Sequence, residues 1–197
     1  MMTFKEPKRK IAQTALESMP VKPKVIVEFG TYVGVSALAW GAVLQGLHGP
    51  DKDCKVYTFE LDPKMVQVSR DMVHLAGLDD LVHVVEGPAT ESLKRLYIEG
   101  KITAGGVDMV FFDHWEKHYV PDLQLCEQLG IFREGALAIA DNTDMPGAPD
   151  YLKYVRAGGT GNVKYESKGY ESETPTRGPV SVFPILNSRR LAMANSA

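Results

Sequence analysis

Strand-like and helix-like stretches alternate five times between Val25 and Arg156, and this alternation limits the possible folds more than any other feature of the chain. The strand-like runs are Val25-Ile26-Val27-Glu28-Phe29 and residues 55–60, 81–86, 107–112 and 135–141, rich in β-branched and aromatic side chains. Helical signals fill the gaps at residues 37–47, 63–76, 88–97, 119–129 and 148–156. Asp62-Pro63 supplies a cap and a first-turn proline for one of these helices, and Gly77 suits its end. The pattern predicts an α/β protein, a doubly wound Rossmann-like domain with a mostly parallel sheet flanked by helices. Residues 162–166 and 178–185 read as two further strands, which bring the expected sheet to seven.

The flanks are simpler. Residues 1–24 read as an N-terminal arm and helix: Lys5 to Lys10 is basic, and Ile11, Ala12, Ala15, Leu16 and Met19 recur at helical spacing before Pro20 and Pro23. Residues 187–197 read as a flexible polar tail. At 197 residues, with no linker and no repeat, the chain suits a single domain. A formal net charge of -3 offers no basic face for nucleic acid. Two cysteines, Cys54 and Cys126, are too few for a disulfide framework, and no apolar run has the length of a membrane span. The expectation is a soluble, cytoplasmic protein without membrane or nucleic-acid partners.

In an open α/β sheet, chemistry collects where strands end at the carboxyl edge. The apolar run of residues 107–112 stops at Asp113-His114-Trp115-Glu116-Lys117-His118, and residues 138–140 stop in the same way at Asp141-Asn142. If these strands are neighbours, two carboxylates and an amide oxygen share one edge, a donor set that suits a hard octahedral cation such as magnesium. His114 raises zinc or iron as a rival, although no second histidine lies at ligand spacing. The structural alternative is that Asp141-Asn142 only caps the turn before Pro146. Trp115 either packs or walls a flat substrate. Near the start of the chain, Glu28-Phe29-Gly30-Thr31-Tyr32-Val33-Gly34 joins strand to helix with two glycines, outside the G-x-G-x-x-G spacing of dinucleotide enzymes. Glu60 ends the second strand, where a carboxylate can accept both hydroxyls of a ribose. Together these features fit an adenosine ligand that lacks a pyrophosphate.

EFGTYVGVSA, FELDP, VDMVFFDHW with YVPD after it, and ADNTDMPGAPDYLKYVR together resemble the catechol O-methyltransferases, a family that uses S-adenosylmethionine and magnesium. The resemblance runs from about Val25 to Arg156. It implies magnesium ligands at Asp113, Asp141 and Asn142, and cofactor contacts at Glu28, Gly30, Tyr32, Ser36, Glu60, His114 and Trp115. It also implies apolar walls around a catechol ring from Trp115 and Pro146, and a hydroxyl contact from Glu171. The implied chemistry is chelation of both catechol oxygens, acidification of one, and in-line attack on the sulfonium methyl.

The chain departs from this family at three places. The family's general-base lysine follows the tryptophan directly, where this chain has Glu116, with Lys117 one residue later. The proton acceptor is therefore expected to be Lys117 or Glu116, with Lys117 favoured. Only one short helix precedes the first strand, which implies a more open site or cover from a second subunit, as in a homodimer. Ala89 and Thr90 stand where the family has serine and glutamine near the adenine. The leading expectation is methylation of a catechol or related small diphenol. A cofactor-binding relative with weak or lost catalysis is the alternative, and a dehydrogenase is disfavoured by the glycine spacing.

Overall fold

The computed structural model describes residues 6–49, 53–143, 147–159, 163–165, 168–170 and 180–187. The five alternations are realised as β1 (Val25–Phe29), α2 (Val35–His48), β2 (Lys55–Glu60), α3 (Pro63–Leu75), β3 (Val82–Glu86), α4 (Ala89–Ile98), β4 (Val107–Phe112), α5 (Tyr119–Gln128), β5 (Phe132–Ala140) and α6 (Pro149–Arg156), preceded by α1 (Glu6–Glu17). Strands β1 to β5 run parallel in the order β3-β2-β1-β4-β5. This is the Rossmann-like arrangement the alternation predicts.

The expected count of seven strands is corrected. Among the described residues five strands are parallel, and beyond β5 the sheet continues through three antiparallel ones, β6 (Val163–Tyr165), β7 (Lys168–Tyr170) and β8 (Val180–Asn187). β8 pairs with β5, and both β6 and β7 pair with β8. β7 escapes sequence reading because Lys-Gly-Tyr is too short for a period and carries a central glycine.

Alternation along each strand divides the core into two layers. On β4, Val110 and Phe112 join one layer with Val27, Phe29 and residues of α4 to α6. Met109 and Phe111 join the other, with Ile26, Trp40 and residues of α1 to α3. Phe29 and Phe112, on adjacent strands, stack with centroids 4.8 Å apart, and Phe59 meets Phe29 edge-on at 5.4 Å. All six residues of β4 are buried, and each large apolar side chain so placed contributes about 1.5–3 kcal/mol.

The polar member of β4, Asp108, is also buried. It accepts the backbone N–H groups of Lys24 and Val25 at 2.7 and 2.8 Å and the Nε of Arg133. One carboxylate thus fixes the entry of β1 and the start of β5 to the central strand. Asp62 caps α3 as the sequence predicts, accepting the Lys64 N–H at 2.8 Å.

Helix α1 lies over the layer that contains Trp40. Ala12 and Leu16 are fully buried in that layer, and the helix packs against α2 and β8. Lys8, one turn before Ala12, stands in phase with this buried stripe. Its side chain goes under with it, and Lys8 is only 6% exposed.

Candidate active site

The order of the strands puts a crevice between β1 and β4, where the direction of winding reverses. Gly30 leaves β1 at φ +101°, and a β-carbon there would lie 2.7 Å from the carbonyl oxygen of Asp113. Only glycine fits a backbone at this φ and this approach. The Gly30 and Thr31 N–H groups both donate to the Phe59 carbonyl, and the Asp113 N–H donates to the Phe29 carbonyl. The ends of β1, β2 and β4 are thereby locked to one another.

A cleft of about 370 Å³ opens over these strand ends. Gly30, Tyr32, Glu60, Asp113, His114 and Trp115, all named from the sequence, line it. The Glu60 carboxylate accepts from the Tyr32 N–H at 2.7 Å and from the Leu61 and Asp62 N–H groups at 2.9 Å each. It is held rigidly, and its Oε2 keeps one lone pair for a further donor. Tyr32, at φ +50°, is half exposed at the rim.

Glu28 and Ser36 are brought to the same turn but lie beneath it, buried and outside the lining of the cleft. The Glu28 carboxylate accepts from Trp40 Nε1 at 3.2 Å and from Thr58 Oγ1 at 2.6 Å, with Ser36 also hydrogen-bonded to it. Thr58 and Thr31 pair through their hydroxyls at 2.6 Å. Burial outweighs these hydrogen bonds and pushes the Glu28 carboxyl up to about 7.

β4 and β5 are neighbours, with Phe112 opposite Ala140 and the Asp141 N–H donating to the Phe112 carbonyl at 2.9 Å. Asp113 and Asp141 therefore leave adjacent strands at the same level. The Asp113 carboxyl is held well above the usual carboxylate range, first by burial, then by the charges of Asp141 and Glu28; Lys8 opposes these effects. Asn142 takes φ +53°, and its N–H donates to Asp141 Oδ1 at 2.8 Å. Among the described residues no three His, Cys, Asp or Glu side chains form a metal-binding group; the candidate set is two carboxylates and an amide.

Chemically, this set fits a hard cation. The Lys8 ammonium already stands there in the role of a cation, donating to Asp141 Oδ1 and, at 3.3 Å, to Asn142 Oδ1. The Asp141 and Asn142 oxygens thus converge on a point of positive charge, and the crowding of carboxylates around Asp113 favours more of it. His114 does not join them. Its Nε2 bonds Asp122 Oδ2 at 2.9 Å, while Thr90 donates to the other oxygen of Asp122 at 2.6 Å.

Trp115 is 63% exposed, and Lys117 Nζ sits 3.2 Å from the centre of its ring, an ammonium on an aromatic face. Glu116 and Lys117 form a short 3-10 turn, Glu116–His118, between β4 and α5. Pro146 and Glu171 lie outside the described residues.

Sequence reasoning missed Lys8, Asp122 and the direct role of Thr90. Lys8 was legible only as a lysine in phase with Ala12 and Leu16. Asp122 sits in the YVPD segment, four residues into α5, where a carboxylate reads as a surface residue near a helix start. It is 3% exposed instead.

A family model described as O-methyltransferase matches residues 14–149. The catechol O-methyltransferase of Bos taurus is 38% identical over 77% of this chain, and that of Sus scrofa is 36% identical over 77% of it. The chain spans about half (51%) of the bovine protein's length and 76% of the porcine one. Among solved structures, an O-methyltransferase from Bacillus cereus in complex with SAH superposes with a TM-score of 0.69 at 17% identity, over 95% of this chain and 83% of that one. This last likeness concerns the fold. No helix of the described residues is long and apolar enough to cross a membrane.

Proposed function

The chain belongs to the catechol O-methyltransferase family, and from that premise we propose that it transfers a methyl group from S-adenosylmethionine to one hydroxyl of a catechol or related vicinal diphenol. The observation that carries the proposal is the adjacency of two sites on one sheet edge. A nucleoside-sized cleft lined by Glu60 and Asp113 adjoins the end of β5, where Asp141 and Asn142 follow Ala140 beside Phe112.

Each part has a task in that reaction. Gly30 lets the backbone approach the ligand, and Glu60 accepts the ribose hydroxyls. His114, fixed by Asp122 and stacked among Phe29, Phe112 and Tyr119, walls the cleft. Asp113, Asp141 and Asn142 hold magnesium, which when bound supplies the positive charge that acidifies a substrate hydroxyl. Trp115 flanks the aromatic ring; by the resemblance, Pro146 is assigned to the opposite wall and Glu171 to the second hydroxyl. Glu28 and Ser36 sit behind the turn that receives the methionine part of the donor. The bond that forms is O–CH3 and the bond that breaks is S–CH3; the hydroxyl proton passes to Lys117 or Glu116, with Lys117 favoured because the family's base is a lysine in this turn. Most of the rate then comes from holding oxygen and methyl in line and excluding water.

The test is incubation with S-adenosylmethionine, magnesium and a panel of diphenols, followed by mass spectrometry. Product with a mass gain of one methyl, dependent on a divalent ion and on Asp141, is expected. Cofactor binding without product on any diphenol, with or without metal, would support the rival reading of a binding protein that has lost catalysis.

A further inference from the structure

Lys8 is a strongly placed residue of the site that the reaction above does not use. It comes from α1, is almost fully buried, and donates to two of the three oxygens assigned to the metal. A lysine is rarely buried without a charged partner, and Asp141 is that partner here. Asp141 Oδ1 also accepts the Asn142 N–H, so a further ligand on that oxygen must displace a donor or share with it. A divalent ion also repels an ammonium this near, and the protein around it screens that repulsion far less than water does.

We propose that Lys8 is a resident cation of the metal site: it competes with the divalent ion for Asp141 and Asn142, and thereby links metal binding to the docking of α1. The inference rests on the assignment of Asp113, Asp141 and Asn142 as metal ligands. Without the divalent ion, Lys8 neutralises the carboxylates and holds the first turn of α1 against the sheet edge. With the ion bound, the ammonium must withdraw from those oxygens. The start of α1 then loses its polar anchor, while Ala12 and Leu16 keep the rest of the helix seated. Metal occupancy is thereby transmitted to the N-terminal segment, away from the cleft.

The experiment uses Mn2+ as the probe, with free ion counted by electron paramagnetic resonance, on the full chain and on Lys8→Met, whose fold is checked by circular dichroism. Lys8→Met is expected to bind Mn2+ at least tenfold more tightly. In parallel, hydrogen exchange of the unmodified chain is compared with and without saturating Mn2+; faster exchange in the first turns of α1 is expected, with α3 unchanged as a reference. Equal or weaker affinity in Lys8→Met overturns the proposal and leaves the metal assignment standing. Unchanged or slower exchange in α1 overturns it in the same way, even if the variant does not fold. Absence of Mn2+ binding in both chains overturns the proposal and the metal assignment together.

Discussion

Glu28 gives the sharpest quantitative expectation. Its carboxyl is fully buried, and its folded-state value near 7 lies above the ordinary 4.5. The folded chain therefore holds this proton at a pH where the unfolded chain has released it. Stability from this group is intact below the unfolded value and is lost as pH rises toward the folded one. From about pH 5 to pH 8 the loss amounts to roughly 2.5 kcal/mol, at 1.36 kcal/mol per unit of displacement. Glu28→Gln removes the titration and keeps the shape. Its amide oxygen can accept from Trp40, and its NH2 can donate to Thr58 if the hydroxyl pair with Thr31 reverses direction. The assay is urea unfolding followed by circular dichroism at several pH values for both chains. The stability difference, variant minus parent, should rise by about 2.5 kcal/mol between those limits. Parallel profiles, with a constant difference, would refute the argument that burial dominates at Glu28.

Three other outcomes follow from the same geometry. Gly30→Ala forces a β-carbon to within 2.7 Å of the Asp113 carbonyl at φ +101°; it should lower stability by about 2 kcal/mol or more and abolish SAH binding measured by calorimetry. Asp108→Ala leaves two N–H groups and Arg133 without their acceptor, and urea unfolding should show a loss of about 3–5 kcal/mol. Lys117→Met should reduce diphenol turnover by about 10²-fold or more and alter its pH profile, with a smaller effect from Glu116→Gln; full activity in both single variants removes both from the role of proton acceptor.

The legible parts of this chain were those whose local signal and tertiary role agree. Val107 to Phe112 reads as a buried strand, and every one of its residues is buried. Asp62-Pro63 reads as a helix start, and Asp62 caps it. The pairing that sets Asp113 beside Asp141 follows from alternation of strands and helices, since that pattern leaves few sheet orders. What was hidden depends on contacts distant in sequence. β5 begins at Phe132, earlier than expected, because Arg133 is drawn to Asp108 across 25 residues and Gly135 turns at φ +77° where the register with β4 shifts. Lys8 meets Asp141 across 133 positions, and a basic residue near the start of a chain gives no local sign of such a partner. The fixed orientation of His114 needed Asp122 and Thr90, and nothing in either residue type signals that bond.

The two tryptophans stand in opposite surroundings. Trp40 has no exposed surface and touches the Glu28 carboxylate, whereas Trp115 lies open at the mouth of the cleft beneath a lysine ammonium. Their emission therefore separates by colour and by access to iodide. A blue, unquenchable component reports that the sheet and α2 are assembled, and a red, quenchable one reports what enters the cleft. Arrival of an aromatic ligand should extinguish the second and leave the first untouched. The molecule carries its own optical channels for folding and for binding, with no label attached.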